Sequence, residues 1–240
     1  MTAMNSTFRL NHRVLTTSTF DSGALGVLAY VVHRFPAGRY SAIVQRDGQD
    51  AGSTRFVVDD ASTSMQLTID LASVAAPARA AASCACDSGA DIPTLSSKGY
   101  VLFYVSGGAG EYSVVAHEET GAAPAFDSTK LGDGDVFAAT PLEPAGYSMA
   151  NQAGKASGAI QVIPVPEGTN PRESPPQYVD VSADSFDPAN VSVHSAQGLV
   201  FRVKGPARIV MNKKPGEALR AAAPREGKAV RRRVQFRRLR

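Results

Sequence analysis

Apolar and polar residues alternate in short runs along most of the chain, the signature of strands buried on one face. The clearest run is Met65-Gln66-Leu67-Thr68-Ile69-Asp70-Leu71, where every second residue is apolar. Shorter runs lie at Phe8 and Leu10 and over 25–32, 40–44 and 56–58. Turn formers separate them at Asp21-Ser22-Gly23, Pro36-Ala37-Gly38 and Asp47-Gly48. The spacing predicts an N-terminal β-sandwich over residues 1–74.

Residues 75–97 break the pattern. They are Ala-rich, hold Pro77 and Pro93, and contain the chain's two cysteines, Cys84 and Cys86. With nothing periodic to bury, they read as a linker or long surface loop. Alternation resumes over 100–105, 112–117, 135–139, 147–150 and 159–165. After a Pro-rich stretch at 165–177 it returns over 178–181, 191–193, 199–203 and 208–211. These runs predict a second β-sandwich region over 98–212, divisible into two parts near 166–177, with a basic arm over 213–240. The expected fold is all-β, with two or three sandwich modules.

A short echo recurs three times, as PAGRYSAIV at Pro36, GAGEYSVVA at Gly108 and PAGYSMANQ at Pro144. Each has a Gly-containing turn, then Tyr, Ser and the start of a strand. The turn reverses the chain, while the Tyr ring covers the end of the sandwich and its hydroxyl caps loose backbone groups. In this respect the chain resembles immunoglobulin-like sandwiches, which carry such tyrosine corners. A second resemblance lies over 179–211. Phe186, Pro188, Val191, Val193, Gly198, Leu199 or Val200, and Phe201 follow the spacing of the opening strands of cupredoxin-like domains. The preceding segment looks like the closing strands of such a sandwich. This likeness implies a Greek-key sandwich and, in copper-binding members, a His after the third strand and a Cys-His-Met cluster near the C-terminal end. Blue-copper chemistry needs that thiolate, two imidazoles and a weak axial ligand. Here Arg208 occupies the region of the first His, and no Cys or His follows it. The resemblance therefore implies a metal-free module with no cofactor, and fold likeness does not carry a function with it.

Composition narrows the class. At 43% hydrophobic and 20% charged residues the chain is too apolar for a disordered protein. No apolar run approaches the roughly eighteen residues of a helical membrane span. The opening MTAMNSTFRLNHRVL has no charged segment followed by an apolar one, so no signal peptide is expected, and the location expected is cytoplasmic or virion-associated. Two cysteines cannot build a disulfide framework, and a bridge between residues two apart is strained. Reduced thiols are expected.

Charge adds the sharpest asymmetry. The net charge of +3 hides 11 Lys and Arg against 20 Asp and Glu up to Phe201, and 14 against 2 from Arg202 onward. An acidic body carries a polycationic tail. Arg225, Lys228, Arg231, Arg232, Arg233, Phe236, Arg237, Arg238 and Arg240 are the candidate residues for binding a partner or polyanion. Guanidinium groups donate in a planar fork suited to carboxylate and phosphate. Val230, Val234, Phe236 and Leu239 interleave with the arginines, which suits an arm docking on other protein subunits in a homo- or hetero-oligomer. Self-contact with the acidic body is a further option. Nucleic acid is the alternative partner and would make binding steeply salt-dependent.

Catalytic motifs are absent. None of His12, His33, His117 and His194 stands in metal-ligand spacing. The C-x-C thiolates are soft donors for copper or zinc, and His117 precedes Glu118 and Glu119. Cys84, Cys86 and His117 are thus weak metal candidates that fall short of a closed site. The Gly-rich stretch 106–110 lacks the Lys and helix of a phosphate loop and reads as a hairpin turn. Asp127, Asp133 and Asp135 lack the bidentate Glu of a calcium loop and read as a turn between strands. A carboxylate-based, glycan-active sandwich stays open, because such pairs form only in the fold. The lack of Trp weighs against sugar stacking. The expectation is a non-catalytic structural or interaction protein, a subunit or decoration component of a larger assembly such as a virion, with a copper- or zinc-binding cupredoxin-like protein using Cys84 and Cys86 as the alternative.

Overall fold

The structure is a computed structural model and describes residues 17–76, 92–108, 110–166, 168 and 174–215. Alternation becomes strand through most of this length. In β3 (Gly38–Arg46) the inward set Tyr40, Ala42 and Val44 is buried. Asp47 and Gly48 follow with φ of 51° and 77° and close a two-residue hairpin onto β4 (Gln49–Val58). Left-handed residues at both turn positions match the twist of the flanking strands. The run at 65–71 forms β5 (Gln66–Asp70) and stops one residue early. Asp70 accepts a hydrogen bond from the Ala72 N–H and caps a single helical turn, α1 (Leu71–Val74), so Leu71 is buried from a helix.

Three sheets result. A central sheet of seven strands runs in the order β14 (Phe186–Asp187), β13 (Gln177–Val181), β16 (Leu199–Val203), β10 (Val136–Ala139), β2 (Ala29–His33), β7 (Tyr100–Tyr104) and β5. One five-stranded flanking sheet runs β6 (Thr94–Leu95), β4, β3, β8 (Tyr112–Glu118) and β9 (Pro124–Asp127). The other runs β15 (Asn190–His194), β12 (Ser157–Ile163), β11 (Gly146–Asn151), β17 (Ile209–Lys213) and β1 (Thr19–Asp21). All three contribute to one apolar core. Phe103 of the central sheet stacks on Phe126 of the first flanking sheet at 5.5 Å between ring centres. The described residues are all-β apart from α1, and no helix among them is long and apolar enough to cross a membrane.

The flanking sheets are one design built twice. In each, a parallel pair opens the sheet, β6 with β4 and β15 with β12. Three antiparallel pairings follow, ending in a short outer strand, β9 on β8 and β1 on β17. The central sheet repeats itself about the antiparallel pair β2–β10. On each side comes an antiparallel neighbour, β7 or β16, and then a parallel one, β5 or β13. The sequence carries the repeat too. Phe20-Asp21-Ser22 with Leu25-Gly26 recurs as Phe126-Asp127-Ser128 with Leu131-Gly132, and Pro36-Ala37-Gly38 recurs as Pro144-Ala145-Gly146.

Each leading strand crosses to the other repeat. β1 precedes β2 but pairs with β17, and β9 precedes β10 but pairs with β8. The two serines fasten this exchange. Ser22 donates its N–H to the Ile209 carbonyl at 3.0 Å, and its hydroxyl accepts from the Ile209 N–H at 3.2 Å. Ser128 does the same with Val114, at 3.0 Å for each bond. Both serines are fully buried. A short hydroxyl stands in where the ladder ends and keeps a buried amide paired.

Strands from before residue 75 therefore pair with strands from after residue 97 in all three sheets, as β1 with β17, β2 with β10 and β3 with β8. The break at 75–97 is not bare linker, since it holds β6, which pairs with β4 of a flanking sheet. It joins β5 to β7, which are parallel neighbours in the central sheet, and parallel neighbours need a long crossover. The break at 165–177 likewise lies between β12 and β13, carrying the chain from a flanking sheet to the central one.

Two of the three sequence echoes make the expected corner. Tyr40 donates to the Pro36 carbonyl at 3.0 Å and Tyr147 to the Glu143 carbonyl at 3.3 Å, both four residues upstream. Burial, then the nearby Glu118 or Glu143 carboxylate, raises each phenol above its ordinary 10.0. The third, Tyr112, is buried at the start of β8, with the Arg46 guanidinium 5.8 Å from its ring centre.

Ser22→Ala and Ser128→Ala each strand a buried amide. Each is expected to lower unfolding stability by about 1–3 kcal/mol, read as a shifted midpoint in denaturant titration, with matching effects because the sites are equivalent.

Candidate interaction surface and histidine–aspartate site

The seven tyrosines divide cleanly. Tyr40, Tyr112 and Tyr147 are buried, whereas Tyr30, Tyr100, Tyr104 and Tyr178 share the outer face of the central sheet. Register establishes this, because residues directly opposite each other on neighbouring strands point to the same face. One row runs Tyr178, Val200, Ala138, Tyr30, Tyr104 and Asp70 across β13, β16, β10, β2, β7 and β5. The next runs Asp180, Arg202, Val136, Val32, Leu102 and Thr68. The opposite face carries Val31, Val101, Phe103, Phe137, Val179 and Phe201, all fully buried.

The outer face is thus broad, aromatic and partly open. Tyr178 is 48% exposed, and burial first, then the neighbouring phenols of Tyr178 and Tyr100, raises the Tyr30 phenol. Tyr100 donates to Gln66 Oε1 at 2.8 Å. Tyrosine offers a large, stiff apolar body with a polar tip, a combination enriched at protein interfaces.

Charge sits at the two sides of this face. Beside β13 the Arg202 guanidinium lies 5.4 Å from the Tyr178 ring centre and bonds Asp180 at 2.6 Å, and Lys204 bonds the same carboxylate. The Lys204 hydrogen bond, aided by Arg202, holds Asp180 below the usual carboxylate range. At the β5 edge Asp70 accepts from the Ala72 N–H and Ser73 hydroxyl of α1 and from both the N–H and hydroxyl of Ser106. Burial works against its ionisation, but the Ser106 and Ser73 bonds outweigh it and lower its pKa from the ordinary 3.8.

A second feature lies at the end of the β2–β10 pairing. His33 Nδ1 meets Asp135 Oδ1 at 2.5 Å, and Asp135 Oδ2 accepts from the Gly132 N–H at 2.7 Å. Asp135 is 3% exposed, and Phe35 and Phe126 hold the imidazole at centroid distances of 4.4 and 4.7 Å. A carboxylate accepts only, so the hydrogen of this bond lies on His33 Nδ1. His33 and Asp135 line a cavity of about 280 Å³ with Phe126, Asp127 and Lys130. Such a pair can accept a proton from a ligand, or simply keep a buried carboxylate satisfied. The fold does not demand it, since at the other end of the same pairing Ala29 stands opposite Ala139.

The sequence candidates fall elsewhere. Cys84, Cys86 and the arm residues Arg225, Lys228, Arg231, Arg232, Arg233, Phe236, Arg237, Arg238 and Arg240 lie outside the described residues. His117 sits on β8 opposite Ser41 and Pro124. Among the described residues no three His, Cys, Asp or Glu side chains gather as a metal site. Of the acidic run, Asp135 turns inward to His33, while Asp127 accepts from the Thr129 N–H and hydroxyl. His33 and Asp135 are 102 residues apart and share no motif, so nothing in the sequence joins the one to the other.

His33→Ala leaves Asp135 buried beside a cavity and is expected to cost about 1–3 kcal/mol of stability, read by thermal melting against a chain with His117→Ala. Asp70 titrates below its ordinary value in the fold, so its stabilisation is present above pH 3.8 and is lost as pH falls through the lowered value. Asp70→Asn should therefore be less stable than wild type near neutrality, with the gap closing in acid, as followed by melts at a series of pH values. No family model matches the chain, and no curated protein or solved structure matches it either.

Proposed function

We propose that the protein is a non-catalytic structural or interaction component, an all-β subunit that joins other protein subunits in a larger assembly such as a virion. The observation that carries this reading is the outer face of the central sheet, where four tyrosines and a row of aliphatic side chains remain partly open. Large apolar faces on one side of a sheet mark contact sites rather than free surface. The two repeats, read as immunoglobulin-like or metal-free cupredoxin-like sandwiches, serve as a rigid frame for that face. The basic arm expected over 213–240, which leaves the fold after Lys213 at the end of β17, is the second contact, with carboxylate-rich protein surfaces as its partners and nucleic acid as the alternative.

Size exclusion with light scattering across a salt series tests the arm. Removing residues 216–240 should lower the assembled mass at low salt, where wild type is largest, and flatten its salt dependence. An unchanged mass at every salt concentration, with unchanged partner binding, would sink the role given to the arm.

A further inference from the structure

We propose that the tyrosine face docks on the same face of a second copy of this chain, the two central sheets packing about a two-fold axis that runs along the strands. This rests on the interaction reading above and names its partner. Extent supplies the first argument. Seven strands, most of the inner ones five residues long, span roughly 29 by 16 Å at about 4.8 Å between strands and 3.3 Å per residue. That is on the order of 500 Å² per copy and 1,000 Å² in total, at the lower limit for specific association. A partner that fills the face must be as flat and as broad as a sheet of this size, and another copy meets that requirement.

Symmetry and charge supply the rest. A two-fold contact requires a patch that complements itself. The face already repeats about β2–β10, so a two-fold axis along the strands lays β5 over β13 and β7 over β16. On the β14–β13–β16 side Arg202 and Lys204 balance Asp180 and the Asp187 opposite it, while Asp70 occupies the β5 side, held by N–H and hydroxyl groups rather than by a cation. The axis along the strands brings Asp70 of each copy to the side that holds Arg202 and Lys204 of the other, twice per dimer. An axis across the strands would lay β5 on β5 and set Asp70 against its own copy, which like-charge repulsion disfavours. At the middle of the contact Tyr30 and Tyr104 of each copy meet Ala138 and Val200 of the other, where aromatic anchors contribute most.

Sedimentation velocity of the full chain over a range of concentrations tests the proposal. Wild type should show a reversible monomer–dimer equilibrium. Tyr178→Ser, at an exposed position, should weaken dimerisation about tenfold, Arg202→Gln should weaken it most at low salt, and His117→Ala, on β8 of a flanking sheet, should leave it unchanged. Circular dichroism melts of each variant separate lost contact from lost fold. A dimer that both face variants leave intact would overturn the second-copy docking. If that dimer also dissociated on removal of residues 216–240, the interaction reading would stand without the face contact. A chain that stays single at every concentration, with arm and face both present, would overturn the docking and remove the support for the interaction reading.

Discussion

The antiparallel pairing of β2 with β10 is the contact on which the rest of the architecture turns. It joins the two repeats edge to edge, making one seven-stranded sheet from what would otherwise be two smaller sheets with open edges. Unpaired edges invite uncontrolled association, and pairing them within one chain removes the hazard. Because each leading strand also crosses to the other repeat, neither flanking sheet is complete without both halves. The repeats are therefore bound by backbone hydrogen bonds in all three layers rather than by a detachable interface.

This constraint has consequences on both faces. Inward, the central sheet offers its fully buried residues to a single core shared with both flanking sheets. Outward, the flanking sheets leave the opposite face partly open, and there the tyrosines collect. The pairing also brings His33 beside Asp135, an arrangement that neither strand could make alone. Function as proposed here follows from the open face and needs no catalytic group.

Local signals proved reliable where the physics is local. Tyr40 and Tyr147 cap a carbonyl four residues upstream as the echo suggested, and Asp47-Gly48 turns the chain as a left-handed pair must. The run at 65–71 failed only at Leu71, where a capping carboxylate competed with continued alternation. Composition left 75–97 open between a linker and a long surface loop. A proline- and alanine-rich break looks the same whether it parts two domains or joins parallel neighbours in one sheet. The recurrence of Phe-Asp-Ser-x-x-Leu-Gly was present in the sequence and would have exposed the repeat, with Ser22 and Ser128 as its buried fasteners.

The sequence by itself determined that this protein is built from strands, where most of them start and turn, and that its charge divides between an acidic body and a basic end. Those properties depend on residues within a few positions of each other, or on composition alone. Tertiary structure decided which strands pair, which face of the central sheet remains open, and that four scattered tyrosines share it. It also decided that a histidine and an aspartate 102 residues apart form one hydrogen-bonded pair. Each of these depends on register between distant strands, and a shift of one residue would turn every side chain to the opposite face.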